Sequence, residues 1–295
     1  METTKIKIII LTRNRPDLLL KTVGSILKQS FKDIIIVISD NSSDNQTQKI
    51  IEQKFSHIDN LQYIKREPTF KNFFEHANKA ISEVDTQYFM LFHDDDLMLP
   101  NLVKILAQTL DMHPNLIAVA ANAYNIDTND SIIDKFTPSK KRKLIKSPND
   151  LINLYSHNKS LPFPSYMYRT SYVNKIQFDS NKGGKYSDSC FILDLLQKGD
   201  IMLLFDCYGM LYRRSDFQDS HFIDVKARCK QIKYFAKQSN IKYNSLIITK
   251  WRLKEIYTYY YLENKPIRKV VIKLFFKNRL YKLFLKSIIK KFVTK

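Results

Sequence analysis

Short apolar runs alternate with segments of helical spacing along the first hundred residues. The predicted strands are IKIIIL (6–11), IIIVIS (34–39), LQYIK (61–65) and YFMLF (88–92). The predicted helices cover residues 16–29, 44–55 and 72–82. Because Pro16 stands where a helix should start, and the apolar runs are β-branched or aromatic, both assignments have a physical basis. The alternation predicts βαβ units, and therefore an α/β fold with a mainly parallel sheet flanked by helices.

The pattern continues less regularly after Pro100. We expect a helix to Met112, strands at 116–124 and 165–169, a helix from Cys190 to Gly199, and two late strands within 201–214. Residues 137–147 are predicted to be a basic loop, and residues 178–189 a flexible glycine-containing loop. The aromatic block 251–263 is expected to pack against the body as a helix.

Polar clusters follow three of the predicted strands. They are Thr12-Arg13-Asn14, the stretch from Asp40 to Asp44, and the triplet Asp94-Asp95-Asp96. In a parallel sheet, ligands bind beyond the carboxyl ends of the strands, so these clusters predict one shared crevice. Polar turns also follow strands without any function, and this simpler explanation stays open.

The glycine content changes how the aspartates are interpreted. With only 5 glycines, the chain contains neither a G-x-G-x-x-G dinucleotide motif nor a P-loop. Carboxylates at a strand end suit Mg²⁺ or Mn²⁺, and a cation would neutralise a diphosphate that has no backbone cradle. The alternative is that Asp96 caps the following helix while its neighbours are solvated.

Three separated cysteines exclude a disulfide framework and a cysteine zinc site. Together with an N-terminus that has no apolar signal segment and the lack of an 18-residue apolar run, they favour a cytoplasmic protein without a membrane span.

The net charge of +19 lies almost entirely in the C-terminal part of the chain. Residues 226–295 contain 20 Lys and Arg against 2 acidic residues, so the rest carries only +1. We therefore divide the chain into a domain at 1–225 and a basic helical segment at 226–295. Within that segment, residues 266–295 have the pattern of an amphipathic helix with a basic face, which predicts contact with an anionic membrane. A helix packed on the body is the alternative, and no nucleic acid is expected as a partner.

Four segments of the chain together resemble family 2 glycosyltransferases, which have the GT-A (Rossmann-like) fold. They are IIILTRNRPDLLLKTVGSILKQSF, DIIIVISDNSSD, YFMLFHDDDLMLP, and YSDSCFILDLLQKGDIMLL followed by YRRSDFQDS. The resemblance covers about residues 5–220, and the combination is more specific than any one piece.

The resemblance implies a role for several residues. Donor-binding positions would be Thr12, Asn14, Asp40, Asp94, Asp95 and Arg213, with Asp40 facing the nucleotide base. Asp96 and Asp94 match the two ends of the D-x-D metal motif, and Asp188 matches the catalytic base of an inverting reaction. Asp188 also opens a helix, where an aspartate is favoured for structural reasons.

Two positions depart from the family pattern. The terminal Y-R-x-H motif reads Tyr212 to Ser215 here, so a serine replaces the histidine. Arg213, Arg214 or His221 would then have to neutralise phosphate, or the arginines are only a solvated strand end. His93 stands where an acidic residue is frequent, and it would be either a metal ligand or a buried histidine.

The function implied is sugar transfer from a nucleotide donor, with UDP favoured, to a glycan or lipid-linked glycan. The expected setting is lipopolysaccharide or capsule biosynthesis at the inner face of the cytoplasmic membrane, with Mn²⁺ or Mg²⁺ as cofactor. A sugar nucleotidyltransferase and a catalytically degenerate basic membrane-binding protein are the alternatives. The former would need a glycine-rich phosphate loop after the first strand, and TRNRPD is not one.

Overall fold

A computed structural model describes residues 6–173, 176–214 and 224–262. Its strands are β1 (Ile6–Thr12), β2 (Ile34–Asp40), β3 (Leu61–Lys65), β4 (Tyr88–His93), β5 (Leu97–Met98), β6 (Leu116–Ile126), β7 (Ile132–Lys135), β8 (Lys143–Ile145), β9 (Tyr166–Arg169) and β10 (Asp200–Arg213). Its α-helices are α1 (Pro16–Leu27), α2 (Gln46–Phe55), α3 (Phe73–Ser82), α4 (Leu102–Met112), α5 (Pro148–Ser156), α6 (Thr170–Val173), α7 (Ser180–Gly183), α8 (Ser187–Leu196), α9 (Val225–Gln238) and α10 (Leu246–Leu262). Short 3₁₀ turns cover Phe163–Ser165 and Gly184–Tyr186.

The strands form one mixed sheet in the order β3-β2-β1-β4-β9-β6-β10-β5, with β7 beside β6 and β8 beside β10. Six strands run in one direction, namely β1, β2, β3, β4, β6 and β10. The expected mainly parallel sheet is therefore confirmed in part, because the other four strands, β5, β7, β8 and β9, run antiparallel to their neighbours. β9 lies between β4 and β6 and so joins the two parallel halves.

Helices cover both faces of the sheet, which explains why β1 is buried along its whole length. Ile6, Ile8 and Ile10 point into a core shared with α1 and α4. Ile9 and Leu11 point the other way, into a core that includes α3, α5 and α8. The alternation of a strand thus distributes one apolar run over two cores.

Three predicted elements differ from the structure. The segment 201–214 forms one long strand, β10, rather than two. The basic loop 137–147 includes β8, because Ile145 is fully buried and pairs with Ile201. The loop 178–189 contains α7 and a 3₁₀ turn, and α8 already begins at Ser187.

The described part of the C-terminal segment packs on the body. Ile232 and Phe235 of α9, and Ile248 and Trp251 of α10, are buried in the same core as α8. The aromatic block is therefore a packing helix, as predicted. The predicted amphipathic tail, 266–295, lies outside the described residues. In the part of the chain that the structure describes, the helices are too short or too polar to span a bilayer.

Candidate active site

Polar side chains from the ends of β1, β2, β4, β6 and β10 meet at one edge of the sheet. β1 and β4 are direct neighbours, so Thr12 can reach the acidic triplet. The Thr12 hydroxyl donates a hydrogen bond of 2.8 Å to Oδ2 of Asp94. The clusters after β1 and β4 therefore share one site, as their positions in the sequence predicted.

Buried hydrogen bonds fix the backbone of the acidic triplet. The Thr22 hydroxyl lies 2.9 Å from the carbonyl oxygen of Asp94 and 2.8 Å from that of Asp96. Nε of Arg213 donates to the Asp95 carbonyl, and the backbone N–H of Arg213 donates to Oδ1 of Asp96, both at 2.8 Å. α1 and β10 thus hold the triplet from two sides, which keeps its carboxylates in place.

Asp96, Asp95 and His93 form a cluster that fits a divalent cation. Asp96 is fully buried, and its Oδ2 has no hydrogen-bond partner within the described residues. Nδ1 of His93 lies 3.6 Å from this oxygen, and one ligand atom from each of the three residues lies within 4.8 Å of the others. A buried carboxylate oxygen without a donor is costly unless a cation or proton meets it. The donor set of two carboxylates and an imidazole suits Mn²⁺ or Mg²⁺.

Asp94 has a different environment from Asp96. Its oxygens contact the Thr12 hydroxyl and, at 3.4 Å, Nη1 of Arg15, which also lies 3.4 Å from Asp95. The structure therefore places Asp95, rather than Asp94, beside Asp96 in the possible ligand cluster. The D-x-D pairing of Asp94 with Asp96 as metal ligands stays a prediction.

Burial and mutual repulsion change the protonation of this cluster. Burial, with a contribution from the Asp95 charge, raises the pKa of Asp94 to about 6. The same two causes raise the pKa of Asp96 well above its usual range. Burial lowers the pKa of His93, which favours the neutral imidazole that metals bind. The cluster therefore consists of carboxylates and a neutral imidazole, which favour a bound cation or proton.

The loop after β2 is held to the loop after β1. Asn14 adopts the left-handed backbone region with φ 55°, which asparagine tolerates well. Its N–H donates to the Ser42 hydroxyl at 2.8 Å, and its side-chain oxygen accepts from Ser43 N–H at 3.0 Å. Two of the predicted donor-binding segments are therefore joined into one surface.

Asp40 at the end of β2 is fully buried, and both of its oxygens are engaged. Oδ1 accepts hydrogen bonds from the N–H and the hydroxyl of Ser42, and Oδ2 accepts one of 2.5 Å from the Tyr63 hydroxyl. Nζ of Lys65 lies 3.8 Å from Oδ2. Asp40 thus shapes the loop from inside, and its contact with a nucleotide base stays a prediction.

Asp188 lines a cavity of about 170 Å³ that His93 also lines. The other lining residues are Phe136, Tyr155, Ser160, Leu161, Pro162, Phe163, Pro164, Tyr166, Ile192 and Tyr212. Within the described residues, the hydrogen bond that Asp188 accepts comes from Ser189 N–H at 2.7 Å, to Oδ1. Burial raises the pKa of Asp188, which makes its carboxylate a stronger base. The cavity therefore brings a basic carboxylate and the histidine of the ligand cluster to one space.

A family model for glycosyl transferase family 2 matches residues 7–219, which is most of the chain. The chain belongs to glycosyl transferase family 2. This membership favours a glycosyltransferase over the alternative of a sugar nucleotidyltransferase.

One curated relative and several solved structures are similar to this family member. A GalNAc(5)-diNAcBac-PP-undecaprenol beta-1,3-glucosyltransferase of Campylobacter jejuni is 27% identical over 104 residues, which are 35% of this chain and 34% of the relative. The alignment thus spans about a third of the length of that curated relative. S. aureus TarS 1-349 in complex with UDP-GlcNAc aligns with a TM-score of 0.66 and 17% identity, over 86% of this chain and 73% of that TarS 1-349 chain. The mannosyltransferase PcManGT from Pyrobaculum calidifontis, in complex with GDP-Man and Mn²⁺, aligns with a TM-score of 0.58 and 12% identity, over 97% of this chain and 82% of the PcManGT chain.

These structural neighbours share the fold of this chain, which confirms the GT-A architecture expected of the family. At such low identity the similarity concerns the fold alone, so the roles of individual residues depend on their own geometry.

Arg213 in the Y-R motif of this family member points into the protein. Besides the acidic triplet, Nη1 donates to the Asp127 carbonyl at 2.8 Å, and Nη2 pairs with the Asp130 carboxylate. Its side chain is 3% exposed. The arginine therefore joins the turn after β6 to the acidic triplet, and its contact with a donor phosphate stays a prediction. Ser215 and His221 lie outside the described residues.

Several residues that shape the site were not found from the sequence. Arg15, Thr22 and Tyr63 contact the predicted aspartates, but nothing in their local pattern indicates the partner. The wall of the cavity does have a signal in the sequence. Two prolines flank Phe163 in the segment LPFPS, and this segment lines the cavity. Paired prolines stiffen a loop, which suits the wall of a pocket.

Proposed function

We propose that this family member is an inverting glycosyltransferase that moves a sugar from a nucleotide donor, UDP-linked in our proposal, to a hydroxyl of a glycan. Asp188 acts as the base, and the triplet end of the site holds the donor diphosphate. The proposal rests above all on one observation. Asp188 and His93 line the same cavity, so a base and the possible metal cluster face one space that could hold a sugar.

The transfer step needs one base and one leaving group. Asp188 takes the proton of the acceptor hydroxyl, the oxygen forms a bond to the anomeric carbon, and the bond from that carbon to the diphosphate oxygen breaks. The nucleoside diphosphate leaves with the electron pair, and the configuration at the anomeric carbon is inverted. Oδ2 of Asp188 can receive the proton because its described hydrogen bond goes to Oδ1. The raised pKa of Asp188 strengthens this basicity.

Asp96, Asp95 and His93 would hold a divalent cation, with Asp94 as the ligand that the family motif suggests. When bound, such an ion stabilises the negative charge of a departing diphosphate as a Lewis acid. Arg15 supplies a further positive charge at this end of the site, since it is half-exposed and contacts both Asp94 and Asp95. Thr12 and Asn14 would position the nucleotide beside it.

We further propose that the acceptor is a lipid-linked glycan of a bacterial surface polysaccharide, and that the protein works at the inner face of the membrane. The curated relative from C. jejuni is named for transfer to an undecaprenol-linked glycan. TarS was captured with UDP-GlcNAc, which supports a UDP donor here. Because both are distant, these features are proposals for this chain.

The test measures release of UDP from a panel of UDP-sugars, with lipid-linked oligosaccharides extracted from the source cells as acceptors. The Asp188→Asn and Asp96→Asn variants should each lower transfer by about a hundredfold or more, while Asp188→Asn still binds UDP and Mn²⁺ in calorimetry. Asp59→Asn is the control, because this aspartate is exposed in the turn before β3 and should leave transfer unchanged.

The outcomes separate the parts of the proposal. Near-normal turnover of Asp188→Asn would remove the assignment of the base. A product with retained anomeric configuration would exclude a single inverting step. If the wild-type chain binds no UDP with Mn²⁺, the degenerate, non-catalytic alternative is favoured instead.

A further inference from the structure

The β6–β7 hairpin exposes two adjacent isoleucines to solvent. Ile132 is 60% exposed and Ile133 is 54% exposed, and all four residues of β7 are exposed. β7 pairs with β6 along one side, at Tyr124, Asn125 and Ile126. Exposed apolar residues that occur singly are ordinary, but two in a row on an outer strand are a liability unless something covers them.

A dense group of cations follows these isoleucines. Residues 135–146 contain six Lys and Arg and no Asp or Glu. Lys135, Lys140, Lys141, Arg142 and Lys146 are exposed. The charge of Arg142 is offset by an ion pair with Asp206, in which Nε of Arg142 lies 3.0 Å from Oδ2 of Asp206. Lys146 follows Ile145, which pairs with Ile201 beside the start of β6, so it lies at the other end of the sheet from Ile132, which pairs with Ile126. The exposed isoleucines, together with Lys135, Lys140 and Lys141, are complementary to an anionic lipid surface, where apolar groups enter the interface and cations meet the headgroups.

The hairpin also stands at the edge of the sheet that carries the active site. Asp127 and Asp130 in its turn hold Arg213, which in turn binds the acidic triplet. Phe136, three residues after Ile133, lines the cavity of Asp188. An extended chain covers about 10 Å in three residues, so the isoleucines lie near the opening of the site.

We propose that Ile132, Ile133 and the exposed Lys135, Lys140 and Lys141 form a membrane-contact surface for anionic lipid, here called the hairpin surface. It belongs to the folded body and is distinct from the predicted tail at 266–295. Contact through the hairpin surface turns the edge of the sheet that bears the site toward the bilayer. This orientation would bring the site close to a lipid-linked acceptor, an inference that rests on the proposed function. The contact with anionic lipid does not rest on it.

A second copy of the chain is the competing occupant, because an outer strand can pair with another strand. The charge argues against it. Two hairpin surfaces brought together would place their lysine clusters side by side, and the like charges would repel. Anionic lipid removes this repulsion, so we commit to lipid.

The test uses tryptophan as a reporter, since the chain has a single Trp, and Trp251 is buried. Ile133→Trp places an indole on the hairpin surface of the full chain. The matched control is Met112→Trp, because Met112 is 67% exposed at the far end of α4, before β6 begins. β6 is 11 residues long, so the two reporters lie roughly 30 Å apart. The wild-type chain gives the background from Trp251.

The probe is a vesicle of phosphatidylglycerol and phosphatidylcholine in equal parts, with bromine on the acyl chains to quench nearby indole. We expect the indole added by Ile133→Trp to lose most of its emission on these vesicles and none on vesicles of phosphatidylcholine alone. The indole added by Met112→Trp should keep its emission on both. Replacing Lys140 or Lys141 by Gln should weaken binding to the anionic vesicles by about fivefold for each lysine.

Three results would overturn the proposal. The first is vesicle binding by the Ile133→Trp variant without quenching of its added indole, which would assign membrane contact to another part of the chain. The second is equal quenching in the Met112→Trp and Ile133→Trp variants. The third is a concentration-dependent dimer in vesicle-free buffer that the Ile133→Asp variant abolishes, together with no quenching, which would assign the hairpin surface to a second copy. No donor or acceptor takes part, so these results are independent of the proposed function.

Discussion

At the residue scale, the site concentrates negative charge where water is nearly excluded. Asp94 is 5% exposed, Asp95 8% and Asp96 0%, and they are consecutive in the chain. Desolvation of a carboxylate is costly, and neighbouring carboxylates add repulsion, so the proton is favoured over the bare charge. Arg15 offsets part of this charge from a half-exposed position. A divalent cation would offset the rest, since metal ions bind the ionised carboxylate.

These raised pKa values predict that cation binding depends on pH. Below about pH 6, Asp94 is increasingly protonated, and burial together with the Asp95 charge also raises the pKa of Asp96 well above its usual range. A cation must displace these protons, so Mn²⁺ affinity should rise with pH, by up to about tenfold per pH unit for each proton released. Titration of Mn²⁺ by electron paramagnetic resonance between about pH 5 and pH 8 measures this. The nucleotide is omitted, because its phosphate titrates in the same range.

Asp94→Asn is the informative variant for that experiment. In this variant the Mn²⁺ affinity should depend less on pH near pH 6, where Asp94 titrates. The contribution of Asp96 to the pH dependence should remain. An affinity that does not change with pH in the wild-type chain would contradict the assignment of this cluster as a cation site.

The positions of the polar clusters could be predicted from the sequence, but their partners could not. Strand ends follow from periodicity, so the meeting of Thr12 with Asp94 was foreseeable. Asp40 is buried against Tyr63, and the Arg213 side chain points into the protein toward Asp130. Both contacts depend on which strands become neighbours, and that is determined by tertiary packing rather than by the local sequence.

At the element scale, β10 differs from the two strands that the sequence predicted within 201–214. Gly209 lies inside this segment, in the run DCYGM. In the structure the strand continues, and its register against β6 shifts between Leu204 and Met210. A Cβ at position 209 would collide with the Leu102 side chain of α4 and lie 3.3 Å from Ala121 Cβ. The glycine therefore permits close approach of strand and helix at a bulge.

This close approach predicts opposite effects for two glycine substitutions. Gly209→Ala should lower the free energy of unfolding by about 1–3 kcal/mol, because the added methyl group overpacks the contact with Leu102. Gly24→Ala in the middle of α1 is the matched control, since nothing lies within 4 Å of its added Cβ. It should raise the free energy of unfolding by about 0.5–1 kcal/mol through helix propensity. Urea unfolding followed by circular dichroism measures both, and equal effects would refute the packing argument.

At the scale of the whole molecule, the described C-terminal helices share a core with the sheet. Trp251 of α10 is 1% exposed and meets Phe235 of α9 edge to face, with ring centroids 5.5 Å apart. Nζ of Lys254 also donates to the Ser156 carbonyl at the end of α5, at 2.9 Å. The sequence predicted a domain division near residue 225, and the buried contacts of α9 and α10 raise the question of whether the two parts unfold together.

Trp251→Ala answers that question. The lost ring leaves a large cavity between α9, α10 and the body, so the free energy of unfolding should fall by about 3–5 kcal/mol. If the helices and the sheet form one cooperative unit, circular dichroism and UDP binding will report the same, lowered urea midpoint. Trp251→Phe keeps most of the packing and should cost about 1 kcal/mol. Two separate transitions, with UDP binding retained after the first, would instead mean that the C-terminal helices form a separate unit whose loss the site survives.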